Sequence, residues 1–185
     1  MKVTIVTSED RIIDIVEATL LSIDEAELLP DHLREYREPW WLRTPGYGSD
    51  RAAAVSVYGL IYKEGALVSE SYYAVRPALR IRDPESSGLK TGDRFTFGYL
   101  EFEITSSKLA FCTGMLDICC FRTDDRAADA NEYERSHVRK VIESWFESAT
   151  DERRPSCYGP DASGSYEDVS LAEPFPGFTF DNFIE

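Results

Sequence analysis

Short runs of β-type residues, most of them set off by single glycines, fill both halves of this 185-residue chain, and only one long stretch has helical periodicity. AVSVY (54–58), LIYKE (60–64) and ALVSES (66–71) are separated by Gly59 and Gly65 and predict a small meander. In RFTFGYLEFEI (94–104), Phe95, Phe97, Leu100, Phe102 and Ile104 alternate with polar or small residues apart from a shift at Gly98, which predicts two strand pieces. KLAFCTGMLDICCF (108–121) continues as β structure buried on both faces. The one strong helix is expected over 132–148: Val138, Val141, Ile142, Trp145 and Phe146 recur at helical spacing, and Asn131 with Glu134 reads as a capping box.

The first 30 residues are less regular. KVTIV (2–6) predicts a strand, and Ser8 or Asp10 is placed to cap a helix through Ile12, Ile13, Ile15 and Val16. ATLLS (18–22) reads as a short buried strand, and Asp24 opens a short helix through Ala26, Leu28 and Leu29 that Pro30 stops. The fold class is therefore α+β, with short strands and two or three helices in a single domain.

Charge narrows the partners. The chain has 34 acids and 20 bases, a net charge of −14. Residues 1–82 hold 13 acids and 10 bases, 83–154 hold 15 and 10, and 155–185 hold 6 and none. Direct binding to nucleic acid or an anionic membrane needs a basic footprint, so a protein with a basic surface is the expected partner. No apolar run nears the roughly 20 residues of a bilayer span. The opening MKVTIVTSEDR lacks the charge and apolar pattern of a signal peptide, so the expected location is cytoplasmic. Cys112, Cys119, Cys120 and Cys157 fit neither a zinc spacing nor a disulfide framework and read as reduced thiols.

PWWLRTPGYGSD (39–50) followed by YYAVRPALRI (72–81) resembles the end of a large bacterial family of uncharacterised domains that close on a WWLRSPG…GVRPAL signature. Those domains look related to the C-type-lectin-like fold shared by formylglycine-generating enzymes and retroelement-diversified receptor proteins. TLLSIDEAELLP (19–30) is similar to the stretch before the family's tryptophan pair. The family begins with a motif like GD.F.FG…F.I, passes through a buried strand pair and reaches a helix like NEYERSHVRKVIESWF. Here those parts are residues 92–104, 109–121 and 131–146, and they come after VRPALRI.

The resemblance implies a circularly permuted, mostly antiparallel lectin-like domain. Residues 18–81 correspond to the family's C-terminal part, 82–91 to the permutation linker and 92–148 to its N-terminal part. An acidic aromatic tail follows at 149–185, and residues 1–17 with that tail stand where the family has a long variable region. Domain termini lie close together at the surface, so a short exposed linker suffices to join the old ends. Trp40, Trp41, Arg43, Gly46, Arg76 and Pro77 belong to the signature, and their implied role is structural: core packing with buried arginine hydrogen bonds.

Chemistry-bearing patterns are few. His32 and His137 sit in no metal-protease or Cys–His arrangement and read as surface or capping residues. Glu101 and Glu103, two apart on a strand, share a face as an acid/base pair would, but 34 acids produce such pairs by chance. GYGSD (46–50) lacks the lysine of a phosphate loop, and EPW (38–40) is a partial echo of a lectin calcium motif without an oxygen ligand at Trp40. The cysteine pair of formylglycine-generating enzymes has no counterpart in 40–81. The expectation is a non-enzymatic chain with no metal and no cofactor.

Two surfaces remain as candidates for a protein partner. One is acidic: Asp124, Asp125, Asp129, Glu132 and Glu134 before the helix, with Asp161, Glu167, Asp168, Glu173 and Asp181 in a tail that also carries aromatics. Carboxylates and aromatic rings of this kind can fill a basic nucleic-acid groove, replacing phosphates and stacking like bases. That reading is an inhibitor of a nucleic-acid-binding enzyme such as a CRISPR nuclease, comparable in size and charge to phage anti-CRISPR proteins. The other surface comprises Tyr47, Asp50, Tyr58, Tyr62, Tyr72 and Tyr73, which resembles the displayed ligand face of retroelement-diversified proteins and suits recognition of a surface or a carbohydrate.

Overall fold

The structure is a computed structural model; the residues it describes are 3–6, 12–82, 88–106, 108–124 and 126–150, all within the compact unit Met1–Pro155. In chain order they form β1 (Val3–Val6), β2 (Ile12–Thr19), α1 (Ile23–Glu27), α2 (Asp31–Arg34), β3 (Trp40–Pro45), β4 (Arg51–Val55), β5 (Ile61–Leu67), β6 (Ala74–Val75), β7 (Ala78–Arg82), β8 (Arg94–Phe97), β9 (Leu100–Ser106), β10 (Leu109–Cys112), β11 (Asp117–Ile118), a 3₁₀ turn at Tyr133–Arg135 and α3 (His137–Thr150). One sheet runs β1-β2-β7-β10-β9-β8 and the other β11-β6-β3-β4-β5. Every pairing is antiparallel except the single parallel bridge of Trp40 to Ala74 between β3 and β6. The architecture is α+β, mostly antiparallel, with three α-helices among the described residues.

Adjacent side chains on a strand point to opposite faces, and this rule explains the tryptophan pair. Trp41 enters a core with Ile13, Val75, Phe102, Phe121 and Trp145. Trp40 enters a second core with Leu21, Leu33, Leu42, Val55 and Phe111 beneath α1 and α2. Both indoles are fully buried, and both N–H groups are satisfied, Trp40 Nε1 donating to the Arg34 carbonyl (3.1 Å) and Trp41 Nε1 to the Cys119 carbonyl (2.9 Å). Residues 39–81 and 92–148 contribute to the same cores, so neither half stands alone.

Several local expectations are corrected. Residues 12–16 form β2 and not a helix; Ile13 and Ile15 are buried while Ile12 is exposed and Asp14 half-exposed, a two-residue period that β-branched isoleucines favour. The strand expected at 18–22 stops at Thr19, because Ser22 turns to cap α1. Ser22 Oγ accepts from the Glu25 N–H (3.3 Å) and Glu25 Oε2 accepts from the Ser22 N–H (2.8 Å). Asn131 and Glu134 make no capping box: the Asn131 amide donates to the Gly48 carbonyl (2.8 Å), and Ser136 Oγ accepts from the Arg139 N–H (3.0 Å). The α-helix accordingly starts at His137, and Val138, Ile142, Trp145 and Phe146 are its buried residues. In 108–121, β10 is wholly buried but β11 is exposed.

The expected linker at 82–91 lies partly outside the described residues. Within it, Leu89 is buried in the first core. Asp125 and the tail positions Asp161, Glu167, Asp168, Glu173 and Asp181 also lie outside them. Among the described residues no helix is long and apolar enough to cross a membrane.

Candidate functional site

The second sheet carries one row of side chains whose sizes decide its surface. Trp41 pairs with Ala54 and Ala54 with Tyr62, so the three share a face across β3, β4 and β5. Tyr73, in the segment before β6, stacks on Trp41 with ring centroids 4.2 Å apart, and Tyr72 lies 4.8 Å from Tyr73. Tyr73 is 8% exposed and belongs to the core, which removes it from the displayed face where it was expected. Tyr62 and Tyr72 remain outside, at 48% and 55% exposure. Burial pushes the Tyr73 hydroxyl well above the usual tyrosine pKa, and the neighbouring Tyr72, Glu70 and Tyr62 add to the effect.

Backbone bonds hold the rim. The Cys119 N–H donates to the Tyr73 carbonyl (3.1 Å) and the Arg122 N–H to the Val68 carbonyl (2.9 Å), so residues 119–122 run beside 68–73. The Val68 N–H donates to the Asp50 carbonyl (2.9 Å), and Asn131 reaches the Gly48 carbonyl from the acidic loop. The turn holding Asp50, the Glu70–Tyr72 stretch and the loop of Asp124 are thereby joined into one surface. Asp50 and Glu70 make no ion pair among the described residues. Asp124 Oδ1 accepts the Arg126 N–H (3.2 Å).

The other acidic positions behave differently. Arg122 grips Asp129 through its carbonyl (2.8 Å) and its carboxylate (3.3 Å), and Arg135 binds the other carboxylate oxygen. Hydrogen bonding from Arg135, opposed slightly by burial and reinforced by Arg122, holds the Asp129 pKa below the usual range. Glu132 is 3.8 Å from the same Arg135. Glu134 is exposed.

Tyr47 and Tyr58 are exposed at 79% and 78%, but at other places. Tyr58 stands on the β4–β5 turn, whose Gly59 lies against Arg34 and Glu35. Tyr47 donates its N–H to the Glu64 carbonyl (3.0 Å) beside the crossing of Gly46 and Gly65. A Cβ on Gly46 would fall 2.4 Å from the Glu64 carbonyl oxygen, and Gly65, at φ +84°, rests on Ala52 and Gly46.

The signature residues sit where the chain changes sheet. Arg76 and Pro77 connect β6 to β7, and the Arg76 guanidinium, 1% exposed, donates to the carbonyls of Leu33 (2.7 Å), Cys112 (2.9 Å) and Gly114 (3.0 Å). Rings of Tyr36, Phe111 and Trp40 surround it at 4.3, 4.5 and 5.2 Å. Burial draws its pKa down to about 10, which leaves it charged near neutrality. Arg43 Nη1 binds Glu25 Oε2 (3.0 Å) while Arg80 Nη2 binds Oε1 (2.5 Å), so one carboxylate from α1 ties β3 of one sheet to β7 of the other.

One arrangement was invisible from spacing. His32 Nε2 lies 2.9 Å from Glu103 Oε1, across 71 positions, and Arg94 holds the other oxygen through Nε (3.0 Å) and Nη2 (2.9 Å). Glu101 accepts from Arg94 Nη1 (3.2 Å). The strand pair Glu101 and Glu103 is thus divided between an exposed and a buried carboxylate, both bound to one arginine. Among the described residues no nucleophile is placed against His32. Burial raises the thiols of Cys112 and Cys119 to about 12, opposite to the direction a thiolate nucleophile needs. Among the described residues no group of three His, Cys, Asp or Glu side chains is placed to hold a metal.

Comparison with protein-family models, with curated proteins and with solved structures finds no match for this chain.

Proposed function

We propose that this protein is a non-enzymatic binding module that takes a basic partner protein on the surface of Tyr62, Tyr72 and Glu70, and that its fold is a circularly permuted relative of C-type-lectin-like domains. The observation that carries the binding reading is the pair of exposed tyrosines around the rigid Trp41–Tyr73 stack, flanked by carboxylates with no ion pair among the described residues. Tyrosines fixed in this way give contact area at small entropic cost, and their ring faces attract lysine and arginine. The permutation reading is supported by β7 lying between β2 and β10, with both halves filling one core.

The narrower version, an acidic inhibitor seated in the groove of a nucleic-acid-binding enzyme, draws on the acidic loop and the tail. Asp129 and Glu132 weigh against the loop, since their carboxylates are already bound by Arg122 and Arg135. A partner-retention assay separates the two. The chain would be used as wild type, as Tyr62→Ala/Tyr72→Ala, and truncated after Arg154, at low and high salt. A tyrosine-face partner is lost from the double variant, at about 1–2 kcal/mol per ring, and kept by the truncated chain. Loss from the truncated chain with retention by the double variant would overturn this reading and favour the inhibitor.

A further inference from the structure

A second concave surface lies on the opposite element, along α3, and it differs in kind from the tyrosine face. α3 supplies one wall, Tyr99 from the β8–β9 turn and Leu116 before β11 supply the other, and the open groove between them has a volume of about 580 Å³. Its floor includes Trp145, 7% exposed and clamped by Phe97 (5.6 Å between centroids) and Phe102 (6.0 Å). An aromatic floor held on both sides is preorganised, and the volume falls within the range of small-molecule sites.

One end of the groove is cationic. Gly98 packs against Ala149 and Trp145, which puts Tyr99 beside the C-terminal part of α3. Asp117 also lines the groove. His137 and Lys140 line the first turn of the helix. At 1.5 Å per residue, Lys140 is roughly 13 Å along the axis from Ala149. Lys140 is exposed and has no ion pair among the described residues, whereas its neighbour Arg139 is bound to Glu143. The groove therefore has an apolar stretch of Val141, Leu116 and Trp145 and a cationic end at Lys140 and His137.

The geometry points to a binding site for a small planar aromatic carboxylate, its ring over Val141 and Trp145 and its carboxylate toward Lys140 and His137. The site shares no residue with the tyrosine face and stands or falls separately from it.

Indole-3-acetate and its neutral counterpart indole-3-acetamide would be titrated into the full-length protein and followed by ¹H–¹⁵N NMR. Saturable shifts are expected at Tyr99, Leu116 and residues 137–148, with the carboxylate bound at least tenfold more tightly than the amide. Lys140→Glu is expected to remove that preference, and Ser144→Trp, an exposed position on the groove wall, to block both ligands while leaving the rest of the spectrum in place. Equal affinity for the two ligands, an unaltered preference in Lys140→Glu, shifts centred elsewhere, or no saturation would overturn the assignment.

Discussion

The heaviest demands at the residue scale fall on two charged groups. Arg76 donates to three carbonyls from two segments, Leu33 in α2 and Cys112 with Gly114 at the end of β10, and with no carboxylate against it among the described residues it is a structural cation, not half of an ion pair. Arg76→Met leaves those carbonyls without their donor in a site sealed from water, and Arg76→Lys cannot reproduce a planar fork. Each is expected to lower unfolding free energy by about 3–5 kcal/mol in urea titration, with methionine no better than lysine despite its apolar fit. Glu25 gives a pH signature. Burial opposes its charge, but the Ser22 N–H, Arg43 and Arg80 prevail and hold its pKa below the normal carboxylate value. A folded pKa below the unfolded one means stability that is present above about pH 4 and lost as pH falls through the folded value. Glu25→Gln is expected to cost about 1–3 kcal/mol at pH 7, and the gap from wild type should close in acid. A gap that stays constant from pH 7 to pH 3 would show that Glu25 works through the cap alone. The sequence marked Arg76 and Arg43 through the signature, but not their partners: carbonyls leave no trace in side-chain pattern, and Glu25 looked like one of many acids.

Legibility at the element scale followed the length of the pattern. The β8–β9 hairpin and α3 were readable because alternation or helical spacing persisted over ten residues or more. β2 was not, since Ile12, Ile13, Ile15 and Val16 satisfy both periods over five residues, and only the partner strands β1 and β7 decide between them. The cap of α3 was misplaced for a related reason: Asn131 had the right residue type three before a glutamate, but Gly48, 83 positions away, took its amide. Ser136→Ala is therefore expected to cost about 1 kcal/mol through the lost cap, while Asn131→Ala leaves α3 helicity unchanged and loosens the Gly48 turn, seen as faster amide exchange there. Gly46 belongs at this scale too. Gly46→Ala places a methyl 2.4 Å from a backbone oxygen of β5 that cannot move without breaking the β4–β5 ladder. A loss of about 2–4 kcal/mol is expected by thermal melting, against about 1–2 kcal/mol for Gly98→Ala, where the nearest atom is a side-chain methyl at 3.1 Å and the strain comes from φ +62°.

At the scale of the whole molecule, the sequence showed an α+β chain of short strands, but not which sheet each strand joins, because pairing across about 30 to 70 positions has no local signal. The candidate surface was half legible: tyrosines and acids were visible, while the burial of Tyr73 depends on Trp41 far along the chain, and the ion pairs of Asp129 depend on how its loop folds back on Arg122 and Arg135. The proposed permutation is testable through connectivity. The old boundary at residue 18 would discard Ile13 and Ile15, both buried, so the rearranged chain must keep β2 and with it β1. α3 packs on β2, with Val16, Ala18, Arg139 and Phe146 lining one small cleft, so a flexible linker from Thr150 to Val3 has a short way to run. A chain ordered 88–150, linker, 3–82 retains Leu89 in the core and every strand pairing. If the domain is a permutant, this order restores the connectivity of its relatives, and it should melt in a single cooperative transition with the calorimetric and van't Hoff enthalpies equal. A native arrangement that instead requires residues 83–87 as a continuous strand-to-strand connection would give a broad, non-cooperative melt, and the permutation reading would fall with it.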